Sequence, residues 1–95
     1  MLVNQEKANE ILVAKYKGYY LEEVNKVLLD EDYDSIATVK VWEDDDIFGA
    51  EATDILNWYK SVIDTNYAIL NEVKAGTRAM PTKDEYLALL PIYGA

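Results

Sequence analysis

The sequence predicts an all-α fold, a single domain over residues 1–95 in which four to five helices surround a long central helix at about 50–75. Three observations predict this class. One uninterrupted helical period runs through the central segment, recognisable cap residues mark several helix ends, and no two segments read as strands that could pair. With 95 residues and 51% hydrophobic composition, the chain can form one core, but it is marginally stable without close packing or a partner.

The central helix is predicted from apolar residues that recur at alternating steps of four and three. A second apolar line flanks the first, so the stripe is wide enough to face a core over roughly 35 Å. Lys74 in the last turn and Gly76 just beyond it predict where the helix ends. The first line is Ala52, Leu56, Tyr59, Ile63, Asn66, Leu70 and Val73, and the second is Ile55, Val62 and Ile69.

The N-terminal third predicts two helices, at about 5–17 and 19–29, that are separated at Gly18. Across this glycine the apolar stripe rotates by roughly 140°, and a straight helix cannot bury both halves in one place. The alternative is one long helix that bends around the core, in which Gly18 costs about 1 kcal/mol.

The segment at 36–42 is rich in β-branched residues, which suit a strand. A strand needs a partner, however, and the chain shows no second strand pattern. We therefore favour a short helix that is capped by Asp34 or Ser35. A strand at this position would instead imply pairing with another molecule.

The C-terminal segment begins with a capping box, in which Thr82 and Glu85 each satisfy a free backbone N–H group. The pattern predicts a short final helix at about 83–90 that ends at Pro91. The residues that follow are apolar, which is unusual for a solvated terminus, so we expect this tail to dock against the body or a partner.

The whole net charge of -9 lies in one segment. Residues 30–54 hold ten acids and one base, whereas the rest of the chain holds eight acids and eight bases. An acidic surface of this kind repels phosphate backbones and attracts cationic groups. We therefore expect a basic protein as partner and no direct binding to nucleic acid.

The chain has no histidine and no cysteine, which removes the usual zinc ligands, imidazole bases and thiolate nucleophiles. Asp30, Asp32 and Asp34 match the first three ligand positions of a calcium-binding EF-hand loop. Ser35 and Val41, however, stand where that loop needs glycine and glutamate, so we favour a solvated acidic loop. We expect no metal, no cofactor and no enzymatic activity. With neither a signal peptide nor a membrane-spanning run, we expect a cytoplasmic protein.

Aromatic residues and clustered acids are the candidate partner-binding residues. Trp42 beside a run of acids forms an aromatic anchor among carboxylates. Trp58 and Tyr67 flank the central stripe, where half-buried packing is the alternative interpretation. The candidate set is Trp42, Glu43, Asp44, Asp45, Asp46, Trp58, Tyr67, Ile92 and Tyr93.

Asn66 is a polar residue on the otherwise apolar line of the central helix. We favour a core asparagine that is hydrogen-bonded to a neighbouring helix. The alternative is a polar contact that fixes the register between two copies of this helix, as buried asparagine does in coiled coils.

The segment at 80–91, MPTKDEYLALLP, resembles the C-terminal stretch of small phage tail-assembly proteins in its Met-Pro-Thr start, followed by an acid and an apolar helix. This resemblance implies a phage accessory or assembly protein and assigns no site residues. We expect a non-enzymatic interaction or assembly module that self-associates as a homo-oligomer. The alternative is an acidic inhibitor that imitates nucleic acid, as some anti-CRISPR and anti-defence proteins do, and blocks a basic site on an enzyme.

Overall fold

In the computed structural model, which describes residues 2–94 and the side chains of residues 6–94, the chain forms helices and connecting turns without strands. The all-α prediction is confirmed, as is the helix at 36–42 in place of a strand. The helices of the described chain are α1 at Leu2–Asp30, α2 at Ile36–Trp42, α3 at Gly49–Ala75 and α4 at Lys83–Leu89.

The prediction of a break at Gly18 is wrong, because α1 is one continuous helix from Leu2 to Asp30. Its buried side chains are spaced four residues apart, so each lies about 40° further around the helix and the stripe winds by about 160° in total. Different neighbours cover its two ends, and no break is needed to bury both. The stripe consists of Leu12, Tyr16, Tyr20, Val24 and Leu28.

Helices α1 and α3 are antiparallel. Asp30, at the end of α1, lines the same groove as Glu51 in the first turn of α3. The ring of Tyr16, in the first half of α1, packs at a tilt against that of Tyr86 of α4. Tyr86 is hydrogen-bonded to Asn66 in the second half of α3. Helix α4 therefore covers the first half of α1 and the second half of α3.

The central helix α3 is unbroken and ends as predicted, with Lys74 in its last turn and Gly76 in the left-handed conformation at φ 78°. Its most deeply buried face is shifted from the predicted line towards the flanking one. Ile55 and Val62 are fully buried, whereas Tyr59 is only partly buried against the core. The wide stripe predicted from the sequence is thus confirmed, with its centre displaced.

A polar contact joins α4 to α3 inside the core. The Tyr86 hydroxyl donates to Asn66 Oδ1 at 2.7 Å, and both residues are buried. The hydroxyl of Tyr16 donates to the carbonyl of Pro81, just before α4. Burial is the main cause that raises the pKa of Tyr86 well above its usual value, with Tyr20 and Tyr16 adding to it. Asn66 is therefore a core asparagine bonded to a neighbouring helix, as favoured.

The capping box at the start of α4 is also confirmed. Thr82 N donates to Glu85 Oε1 at 2.9 Å, and Glu85 N donates to Thr82 Oγ1 at 3.2 Å. These hydrogen bonds lower the pKa of Glu85. Helix α4 is thus fixed at its first turn by its own sequence and in its middle by Tyr86.

The tail after α4 docks against the body. Trp58 Nε1 donates to the carbonyl of Pro91 at 2.8 Å, and the Trp58 ring packs edge-on against Tyr93 at 5.7 Å between centroids. Ile92 points away and is 77% exposed. No helix in the described part of the chain is long and apolar enough to cross a membrane.

Substituting Tyr86→Phe tests the polar contact in the core. The change leaves the Asn66 oxygen buried without a donor, and we expect the free energy of unfolding to fall by about 1–3 kcal/mol. The double substitution Tyr86→Phe with Asn66→Leu should recover much of this loss, because neither polar partner remains. Urea unfolding followed by circular dichroism measures these differences.

The matched control is Tyr67→Phe, on the same helix as Asn66 but 58% exposed. It should change the free energy of unfolding by less than about 0.5 kcal/mol. Equal effects of Tyr86→Phe and Tyr67→Phe would show that the buried hydrogen bond does not contribute as described.

Candidate functional site

A groove of about 430 Å³ lies where the end of α1, helix α2 and the start of α3 meet. We call it the acidic groove, because four of its lining side chains are carboxylates and three are aromatic. The lining residues are Asp30, Glu31, Asp32, Tyr33, Thr38, Trp42, Phe48 and Glu51.

One wall of the acidic groove is built by the turn that ends α1. Tyr33 N donates to the carbonyl of Leu28 at 2.8 Å, and Asp32 N donates to that of Leu29 at 3.2 Å. This is the Schellman pattern, whose left-handed position usually holds glycine. Here Asp32 occupies it, at φ 65°. The turn tucks the Tyr33 side chain into the core and holds the Asp32 carboxylate at the groove.

Helix α2 supplies the second wall. It begins at the N-cap Ser35, whose Oγ accepts from Thr38 N at 3.3 Å, so Ser35 rather than Asp34 is the cap. The buried Val39 anchors α2 in the core. Trp42, the last residue of α2, is 40% exposed and meets Phe48 nearly at a right angle, with 5.7 Å between ring centroids.

The turn between α2 and α3 positions Phe48. Asp45 Oδ2 accepts hydrogen bonds from the backbone N–H groups of Ile47 and Phe48, each at 2.8 Å. The chain passes so close to itself that a Cβ on Gly49 would lie 2.8 Å from the carbonyl oxygen of Glu43. The Asp45 carboxylate, predicted to bind a partner, is therefore engaged in holding this turn.

The groove carboxylates are not paired with a cation in the part of the chain that the structure describes. None takes part in an ion pair among the described side chains, whose pairs are Lys26–Glu23, Arg78–Glu72 and Lys83–Glu22. Burial raises the pKa of Tyr33, and the charge of Glu51 and a hydrogen bond to it raise it further. Glu31 and Glu51 likewise add to the effect of burial in raising the pKa of Tyr93.

The structure divides the predicted partner-binding residues into three groups. Trp42 lines the acidic groove, and Asp44 and Asp46 are exposed in the turn that follows it. Glu43 and Asp45 are half-buried in that same turn. The remaining four lie elsewhere, with Trp58 and Tyr93 paired with each other, and with Ile92 and Tyr67 exposed.

Most of the groove was not identified from the sequence, although the acidic segment was. Asp30 and Glu51 have twenty residues between them in the chain and line the same groove only because α1 and α3 are antiparallel. The position of these acids in the chain could have indicated the groove. An acid at the end of one long helix and an acid in the first turn of the next, antiparallel helix lie at the same end of the molecule.

The arrangement of the acids does not suit a shared metal ion. Among the described residues, no group of three or more His, Cys, Asp or Glu side chains lies close enough to hold one. Asp30 and Asp32 line the groove, whereas Asp34 is not among its lining residues. The four carboxylates therefore surround the groove without converging on one point.

A second cavity, of about 320 Å³, lies between the loop at 78–81 and helix α4. It is lined by Arg78, Glu85 and apolar side chains, and Arg78 is already paired with Glu72. This cavity is thus lined by charges of both signs, and one of them is already in an ion pair, whereas the charged side chains of the acidic groove are all carboxylates.

Compared with protein-family models, with curated proteins and with solved structures, the chain gave no match. The protein is therefore classified from its own structure. It is a small all-α protein with an acidic, aromatic-lined groove at one end of an antiparallel helix pair.

Substituting Asp32→Gly tests whether the α1 turn is held in a costly conformation. Glycine adopts positive φ without a steric penalty, so we expect the free energy of unfolding to rise by about 0.5–1 kcal/mol. The matched control is Asp34→Gly, because Asp34 does not have positive φ and glycine there only adds freedom to the unfolded chain. Urea unfolding should show opposite signs for the two variants, and a loss of stability in both would contradict this account.

Proposed function

We propose that the protein is a non-enzymatic interaction module that binds a basic segment of a partner protein in the acidic groove. One observation supports this most directly. A single concave surface is lined both by two exposed aromatic rings, those of Trp42 and Phe48, and by carboxylates that pair with no cation in the described part of the chain. Opposite charge steers the approach of a partner, and buried aromatic rings supply most of the binding energy at protein interfaces.

The groove is better suited to binding than to catalysis. Asp30 and Asp32 are exposed, whereas acid–base chemistry between carboxylates requires an enclosed site that separates their pKa values. The chain also supplies no histidine or cysteine that could act as base or nucleophile. These features support an interaction module rather than an enzyme.

The exposed aromatic rings also bear on the choice between partner classes. A mimic of nucleic acid needs a spread of carboxylates, and apolar rings among them would contribute nothing to that resemblance. A protein segment with both basic and apolar side chains would use both features of the groove. Blocking a basic site on an enzyme remains one outcome of such binding, as the inhibitor hypothesis requires.

Self-association through the central helix has less support. Trp58, on its shoulder, already contacts the tail of the same chain through Pro91 and Tyr93. Tyr67 is exposed but stands away from the acidic groove. The surface that best fits a partner is therefore the acidic groove.

Neutralising the groove tests the proposed function. The triple variant Asp30→Asn, Glu31→Gln and Asp32→Asn should bind a short peptide rich in lysine, arginine and leucine at least about tenfold more weakly than the unmodified protein. Asparagine tolerates the left-handed position of residue 32, so the turn is preserved. Isothermal titration calorimetry at an ionic strength of about 0.1 M, where the Debye length is about 10 Å, measures the affinity.

The matched control is the triple variant Glu6→Gln, Glu10→Gln and Asp64→Asn, which changes the net charge equally at exposed positions outside the groove. Its affinity should fall by less than about threefold, because exposed charges at a distance are screened. Equal losses in both variants would mean that only the overall charge of the protein matters, and the groove would then have no binding role.

A further inference from the structure

The acidic groove combines exposed aromatic rings with carboxylates from separate segments of the chain. Trp42 and Phe48 stand nearly perpendicular, and each exposes 40% or more of its surface. Val41 and Ile47, next to them in the chain, are 76% and 81% exposed. Four apolar side chains are thus in contact with solvent within eight consecutive residues, beside a groove lined by carboxylates.

The carboxylates of the groove come from separate segments. Asp30, Glu31 and Asp32 belong to the end of α1, whereas Glu51 belongs to the first turn of α3. No three acids of the described chain lie close enough to hold one ion. A single compact cation would therefore leave most of these charges without a partner, and several cationic groups spaced along a ligand would satisfy them better.

Resting on the proposed function, we propose that the partner segment is amphipathic and cationic. One bulky apolar side chain of the segment packs against Trp42 and Phe48, and several separate lysine or arginine side chains pair with different groove carboxylates. Exposed ion pairs are individually weak and are screened by salt, so they set the rate and direction of approach. The apolar side chain supplies the part of the affinity that salt does not remove.

This proposal separates two kinds of basic ligand. A purely charged ligand, such as a polyamine or an oligolysine, could neutralise the carboxylates but would leave the two aromatic rings in water. A segment with a central apolar side chain buries them. Of two ligands with the same number of positive charges, the one with the apolar side chain is therefore expected to bind more tightly.

The test uses three synthetic peptides of equal length. The first has a central leucine between basic residues, the second replaces that leucine by serine, and the third keeps the leucine but replaces half of the basic residues by glutamine. Calorimetry at low and high salt should show that the serine peptide binds at least about tenfold more weakly than the leucine peptide at both salt concentrations. The glutamine peptide should show a weaker dependence of affinity on salt.

Variants of the protein locate the apolar contact. Phe48→Ala and, separately, Trp42→Ala should reduce the difference between the leucine and serine peptides to less than about threefold. Tyr67→Ala removes an exposed aromatic side chain outside the groove and should leave the difference intact. Circular dichroism verifies that each variant keeps its helices, and Phe48→Ala provides a second measurement if Trp42→Ala fails to fold.

The outcomes distinguish the two proposals. Equal affinities for the leucine and serine peptides, both reduced by neutralising the groove, would overturn the amphipathic partner and leave the interaction module standing. Binding that does not respond to the groove carboxylates would overturn both. A peptide difference that persists in Phe48→Ala and Trp42→Ala would place the apolar contact elsewhere and likewise overturn the further proposal.

Discussion

The constraint on which the structure depends is the four-residue spacing of buried side chains along α1. Because an α-helix repeats every 3.6 residues, this spacing makes the apolar stripe wind around the helix from Leu12 to Leu28. One antiparallel neighbour cannot cover a winding stripe along its whole length. Helix α4 therefore covers the first half of the stripe, where Tyr16 packs against Tyr86, because α3 alone is not sufficient.

The same architecture accounts for the uneven charge. The acidic segment at 30–54 connects the end of α1 to the start of α3, so an antiparallel pair places all of it at one end of the molecule. Local interactions then fix the conformation of that end. They are the left-handed turn at Asp32 and the hydrogen bonds of the Asp45 carboxylate in the turn before α3. Like charges gathered in this way oppose each other, and the non-glycine residue with positive φ adds a further cost. Gathered like charges and a strained backbone position are features that cluster at functional sites, and they support the binding role proposed for the groove.

The elements that could be predicted are those fixed by local chemistry. The period of α3, the end at Gly76 and the capping box at Thr82 each depend on residues within a single helix or its ends, and the cap of α2 was limited in the same way to Asp34 or Ser35. The continuity of α1 could not be predicted in the same way, because rotation of its stripe indicates a break only if a single neighbour is assumed. The groove depends on which helix ends meet, and the sequence near Asp30 carries no local sign of Glu51.

Native-state hydrogen exchange measured by NMR tests the central claim most directly, namely that α1 is one rod held by α3 and α4 in a single cooperative unit. The amides of Tyr16 and Val24, on either side of Gly18, should exchange only through global unfolding, with the same free energy as the amide of Val62 in α3. A lower free energy of opening for Tyr16 than for Val24 would contradict the account, because the segment before Gly18 would then open as a separate helix.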